Sequence, residues 1–133
     1  MESKIVLAQF EAGQLEALHH RDHIHIGWLY LRRDGWQIGY QNIQQGIQHF
    51  AALHGASDKY HETITRFWAY LIQHAIEVTP EIDTFDEFVA AHPALLDKTI
   101  ISQYYSSDSL IGNDARQAWQ EPDLQKLPSI DSI

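Results

Sequence analysis

Hydrophobic residues recur every three to four positions over most of residues 14–78, which is the spacing of an amphipathic α-helix. The pattern predicts three long helices, over about 14–33, 36–53 and 58–78. Asp34 and Gly35 should end the first helix and Gly55 the second, while Ser57 is a suitable N-cap for the third. Only the short segment 5–10 shows any alternation typical of a strand.

The second half of the chain contains shorter helical segments. Thr84 and Glu87 fit a capping box, in which each side chain bonds a backbone N–H of the other residue, at the start of a helix ending near Ala91. Two more helices are predicted, over about 93–105 with Pro93 in the first position, and over about 108–119 with Ser106 or Ser107 as the cap.

These segments predict an all-α fold, a compact bundle of three long helices plus two or three short C-terminal helices. With 133 residues the chain should form a single domain, 1–133, in which about 121–133 is a tail that lies extended over the body or frays. The chain contains no cysteine, which excludes disulfides, cysteine–zinc sites, iron–sulfur clusters and a thiol nucleophile.

The formal charge of −9 further narrows the possible partners. Nucleic-acid binding needs clustered lysine and arginine, and an anionic membrane surface repels an acidic chain, so neither partner is expected. No stretch approaches the length of a transmembrane helix, and the N-terminus lacks the basic region and cleavage site of a signal peptide. The cytoplasm is the expected location.

The nine histidines are the most unusual feature of the composition. Helical projection places His19 and Asp22 within the apolar stripe of the first predicted helix, with His23 at its margin one turn after His19. His54 ends the buried stripe of the second helix, and His61 lies at the edge of the apolar face of the third. The five side chains are therefore predicted to converge at one end of a three-helix core.

Such a cluster could bind a metal ion. Histidines at positions i and i+4 of one helix face can chelate a single ion, and Asp22 could be a further ligand or could fix a histidine tautomer. Nitrogen and oxygen ligands favour zinc, iron, manganese or nickel, and an open position would support oxygen or hydrolytic chemistry. Without metal, His61 could act as a general base oriented by Glu62 or Asp22.

The alternative interpretation is a non-enzymatic helical binding or dimerisation module with structural or pH-sensing histidines. A core histidine is commonly satisfied by a carboxylate or carbonyl, and a small-molecule ligand or a homodimer partner fits this class equally well. The zinc-protease motif H-E-x-x-H fails because Thr65 stands at its last position. The remaining histidines are assigned to structural or solvent positions: His20, His25, His49, His74 and His92.

The segments H-H-R-D-H at 19–23 and K-Y-H-E-T-I-T at 59–65 resemble the signature segments of a family of small, mostly uncharacterised bacterial proteins. The likeness extends to about Pro128 and implies no established activity. It implies that the signature comprises His19, His20, His23, His61 and Glu62, while Asp22 and His54 depend on helical projection alone.

Overall fold

The computed structural model describes residues 2–131, and these residues form helices and turns with no strand, which confirms the all-α fold class. Its α-helices are α1 (Glu2–Glu11), α2 (His20–Leu53), α3 (Glu62–Val78), α4 (Phe85–Ala91), α5 (Ser107–Ile111) and α6 (Asn113–Gln117). Short 3-10 helices lie at Ser57–Lys59, Pro93–Leu96 and Lys98–Gln103. None of the helices within 2–131 has the length and apolar character needed to cross a bilayer.

The chain divides into two compact units, a first unit at Met1–Tyr60 and a second unit at His61–Ile133. The first unit contains α1, α2 and the 3-10 helix Ser57–Lys59, and the second contains the remaining α-helices followed by the C-terminal segment. The prediction of one compact domain built as a three-helix bundle stays a prediction.

Helix α1 replaces the strand alternation considered for residues 5–10. Phe10 is buried against α2, where a Cβ added to Gly46 would lie 2.6 Å from the phenylalanine ring. Ser3 Oγ lies 2.8 Å from Nε2 of His25, and the Tyr30 hydroxyl donates to the Glu11 carboxylate at 2.8 Å. Side-chain contacts with α2 along its length thus hold this segment as a helix.

Helix α2 contains the predicted break, because Gly35 has φ 79° and ψ −179°. This conformation is open to glycine and strained for residues with a Cβ, so the helix turns a corner between 20–34 and 36–53. The predicted start at residue 14 is wrong: α2 begins at His20, because the His19 backbone N–H donates to the Asp22 carboxylate at 2.9 Å and closes the first turn.

The second unit begins with α3, which starts at Glu62 and not at residue 58. The predicted capping box is confirmed in part, because Thr84 Oγ1 accepts from the Glu87 N–H at 3.3 Å. The predicted helix over 93–105 is instead two 3-10 helices with Asp97 between them, whose carboxylate accepts from the Thr99 N–H. The last predicted helix is divided at Gly112, although Ser106 caps its first half as expected.

Residues 120–131, here called the C-terminal strap, are irregular and are hydrogen-bonded to other parts of the second unit. The Asp123 carboxylate accepts from the Ser106 N–H at 2.9 Å, and the Leu124 N–H donates to the Tyr104 carbonyl at 2.9 Å. Near the other end, the Asp131 N–H donates to the Glu77 carboxylate at 2.7 Å. The rest of the predicted tail, 132–133, lies outside the described residues.

Candidate functional site

His61, the centre of the predicted site, is buried and caps the start of α3. Its Nδ1 accepts from the Ile64 N–H at 3.1 Å, so the ring proton is on Nε2, which donates to the Leu110 carbonyl at 2.9 Å. Both ring nitrogens are therefore engaged in bonds to the backbone. In this conformation neither has a lone pair left for a metal or for a substrate proton.

The residues that follow His61 also stabilise the start of α3 and its contacts with the rest of the second unit. Thr63 is fully buried, and its hydroxyl donates to the Ala118 carbonyl at 2.9 Å while accepting from the Gln120 N–H at 3.1 Å. The Thr65 hydroxyl donates to the His61 carbonyl at 2.7 Å. Glu62 is half-buried in the first turn of α3, where a carboxylate interacts favourably with the helix dipole.

His19 and His23 do not form the predicted pair on one helix face, because His19 precedes the helix with extended backbone (φ −80°, ψ 166°) and is exposed. Asp22 accepts the His19 N–H, so its carboxylate is used in capping α2. His23 is half-buried, and burial together with repulsion from His20 lowers its pKa despite the nearby Asp22. This side chain is held neutral at ordinary pH.

His54 does not end a buried stripe, since it is exposed at the C-terminal end of α2. Its Nδ1 donates to the Phe50 carbonyl at 3.0 Å, and its ring stacks on Phe50 at 4.1 Å. Within 2–131, no three histidine, aspartate or glutamate side chains are grouped so that they could hold a metal ion. The metal site at His19, Asp22, His23, His54 and His61 thus stays a prediction, as do the catalytic roles of His61 and Glu62.

A groove in the second unit contains two histidines that sequence analysis assigned to structural or solvent positions. This histidine groove has a volume of about 600 Å³ and lies between α3, the end of α4, the first 3-10 helix after it and the C-terminal strap. Its walls are mainly apolar and include Leu71, Ala75, Leu95, Ile100, Leu127 and Pro128. Its polar side chains are those of His74, His92, Tyr104, Gln125 and Lys126.

Both groove histidines are half-buried and oriented by hydrogen bonds. His74 Nδ1 lies 3.1 Å from the Ser129 carbonyl, and His92 Nε2 lies 2.9 Å from Thr79 Oγ1. The His92 ring also packs on Phe88 at 5.2 Å. Burial and repulsion from His74 lower the pKa of His92. This mainly apolar groove, with two oriented polar groups of which one has a lowered pKa, is a candidate site for a small molecule.

A second groove of the same unit shares residues 126–128 of the strap and has an aromatic wall. Tyr70 and Trp119 pack there at 5.4 Å, and the Arg66 guanidinium lies 5.4 Å and 5.2 Å from their rings. The arginine already occupies the cation position over both rings, so this wall is a packed part of the fold.

Comparison with known protein families, with curated proteins and with solved structures finds no match to this chain. Sequence analysis missed His74 and His92 because neither is part of a metal-ligand or catalytic motif. One signal was present, since His74 projects near the margin of the apolar face of α3.

Proposed function

We propose that this chain is a non-enzymatic helical binding module that holds a small, mainly apolar ligand in the histidine groove. The observation that carries the proposal is that His74 and His92, each oriented by a hydrogen bond, line one mainly apolar groove. A volume of about 600 Å³ accommodates a two-ring molecule, and ligand pockets commonly span about 300–1,000 Å³.

The bonding of three other histidines supports binding over catalysis. His61 and His54 each hydrogen-bond to a backbone carbonyl through a ring nitrogen, and His25 Nε2 lies 2.8 Å from Ser3 Oγ. These contacts stabilise helix ends and helix packing. Histidines in such structural roles are what the interpretation as a non-enzymatic module predicts. The groove histidines differ because their rings also border an open groove.

The expected affinity is modest. A ligand of about ten non-hydrogen atoms that gains roughly 0.4–0.6 kcal/mol per atom binds with a Kd of about 0.04–1 mM. Burial of its apolar surface against Leu71, Leu95 and Leu127 supplies most of this free energy. Such affinities are measurable by protein-observed NMR.

The experiment is an amide NMR titration of the full chain with naphthalene-sized probes. We expect concentration-dependent shifts confined to residues of the groove, which lie within 71–75, 91–95 and 125–128 and at Ile100 and Tyr104. Ala94→Trp should fill the groove and weaken binding at least tenfold. Ala90→Trp is the matched control, because Ala90 is exposed on α4 and does not line the groove. Shifts that are absent, or equal in both variants, would overturn the proposal.

A further inference from the structure

The hydrogen bonds of His92 determine which of its nitrogens can meet a ligand. The Thr79 hydroxyl has one proton and donates it to the Ala75 carbonyl, at 2.7 Å. Its oxygen must therefore accept from His92 Nε2, which lies 2.9 Å away. His92 thus carries its proton on Nε2 when neutral, and Nδ1 keeps a lone pair.

The same reasoning applies to His74. Its Nδ1 lies 3.1 Å from the Ser129 carbonyl, and a carbonyl oxygen can only accept. The proton of the neutral ring is therefore on Nδ1, and Nε2 keeps the lone pair. Both groove histidines have their N–H groups committed to oxygen atoms of the fold.

The neutral form of the His92 ring is favoured near pH 7. Burial and repulsion from His74 lower the pKa of His92, which keeps a proton off its Nδ1. Glu77 lies on α3 one turn beyond His74. Its carboxylate accepts hydrogen bonds from the Gln73 side-chain amide at 2.8 Å and from the Asp131 N–H at 2.7 Å. The other ionisable groups at the groove are Lys126 on the strap and Tyr104.

We infer that the histidine groove selects an apolar ligand whose polar end is a hydrogen-bond donor, such as an alcohol or a phenol. This inference rests on the proposed function. His92 Nδ1 is an acceptor, and so is His74 Nε2 when its ring is neutral. A hydroxyl that donates to either nitrogen replaces the hydrogen bond that this nitrogen made to water. An ether of the same shape leaves the nitrogen unsatisfied.

A carboxylate is disfavoured for two further reasons. Its oxygens are acceptors and would face the lone pair on Nδ1 of the neutral His92 ring. Residues 61–133 also hold twelve of the 18 acidic residues and four of the nine basic ones, a formal charge of −8 that repels an anion. Lys126 is exposed, so its attraction for an anion is weakened by solvent.

The experiment compares three probes of nearly equal size on the full chain at pH 7.5: 1-naphthol, 1-methoxynaphthalene and 1-naphthoate. We expect 1-naphthol to bind about tenfold more tightly than the methyl ether, with 1-naphthoate the weakest. Equal binding of naphthol and ether, or tighter binding of the naphthoate, would overturn this inference and leave the proposed function standing. If no probe binds in the groove, the proposed function itself fails.

Substitutions of the two groove histidines test whether their ring nitrogens cause the preference for naphthol over its methyl ether. His92→Phe and His74→Phe keep a planar ring but remove the lone pair, and the double variant should abolish the preference for naphthol over its ether. The preference is the ratio of the two affinities in the same variant, so a change in the groove itself affects both probes and cancels. His49→Phe, an exposed position in the first unit, is the control. A preference for naphthol that persists in the double variant would refute the assignment.

Imidazole NMR of the unaltered chain gives a check that needs no variant. Two-bond proton–nitrogen spectra distinguish the two neutral tautomers of each histidine. We expect the proton on Nε2 of His92 and on Nδ1 of His74. The opposite tautomer at either residue would overturn the inference.

Discussion

A 2.9 Å hydrogen bond joins His61 Nε2 to the carbonyl of Leu110, 49 residues later in the chain. The same ring accepts the Ile64 N–H, so one buried side chain caps α3 and fastens the end of α5 to it. The histidine expected to serve chemistry is thus a structural connection within the second unit.

Replacing His61 should destabilise the chain. His61→Ala removes the cap of α3 and leaves the Leu110 carbonyl without its described partner, which together should cost about 2–4 kcal/mol. His61→Asn can still cap the helix and should lose less. Chemical denaturation followed by circular dichroism measures both, with the exposed His49→Ala expected within about 0.5 kcal/mol of the parent. Equal stability of all three variants would contradict the structural role.

Gly35 should tolerate no side chain without a loss of stability. A Cβ there meets nothing within 4 Å, so the cost comes from the backbone alone, at φ 79° and ψ −179°. Gly35→Ala should lower the free energy of unfolding by about 1–3 kcal/mol. The exposed Gln37→Ala, two residues further along α2, is the matched control and should have little effect. An unaltered melting temperature for Gly35→Ala would argue against the corner in α2.

Acidification should destabilise the chain through His92 and His23. Both have a pKa lowered from the ordinary 6.5, so the unfolded chain binds protons more readily than the folded one. Each histidine contributes a free energy of stabilisation that is fully present above about pH 6.5. This contribution is lost as the pH falls through the pKa that the histidine has in the folded chain.

The predicted loss of stability on acidification is tested by measuring the free energy of unfolding between pH 8 and pH 5 for the parent and for His92→Gln. The variant should lose less stability than the parent below pH 6.5, the ordinary histidine pKa. His49→Gln serves as the control, since His49 is exposed. Parallel curves for the parent and His92→Gln would show that burial does not lower the pKa of His92.

Zinc should bind without involving His61, because both of its ring nitrogens are engaged. We expect chain purified without a histidine tag to contain well under one equivalent of metal. Any added zinc should bind the His61→Ala variant as it binds the parent. Elemental analysis and calorimetry provide the measurements. One tightly bound equivalent, lost in both His19→Ala and His61→Ala, would instead establish the predicted metal site.

Much of the fold could be predicted because local signals agree with local structure. Gly35 breaks α2, Thr84 caps α4 and Ser106 caps α5, each through its own backbone conformation or side chain. The start of α2 was misplaced because the apolar spacing extends back beyond His19, whereas the capping bond to Asp22 sets the boundary.

The candidate site could not be predicted in the same way. His61 is bonded to Leu110, and His74 to Ser129, 55 residues away, and helical projection of one segment carries no information about such partners. Projection placed His61 near an apolar face, and the residue is buried. The hydrophobic pattern does not distinguish a buried histidine that ligates a metal from a buried histidine that caps a helix. The bonds of His92 and Thr79 likewise depend on how α3 and α4 pack.

The most direct test of the central claim is to follow the imidazole nitrogens during titration with 1-naphthol at pH 7.5. The account predicts that His92 Nδ1 and His74 Nε2, the unprotonated nitrogens, shift as they accept the naphthol hydroxyl, while His92 Nε2 and His74 Nδ1 keep their protons. The methyl ether should fill the groove without moving the two unprotonated nitrogens in this way. Saturation with naphthol that leaves all four nitrogen resonances unchanged would contradict the account.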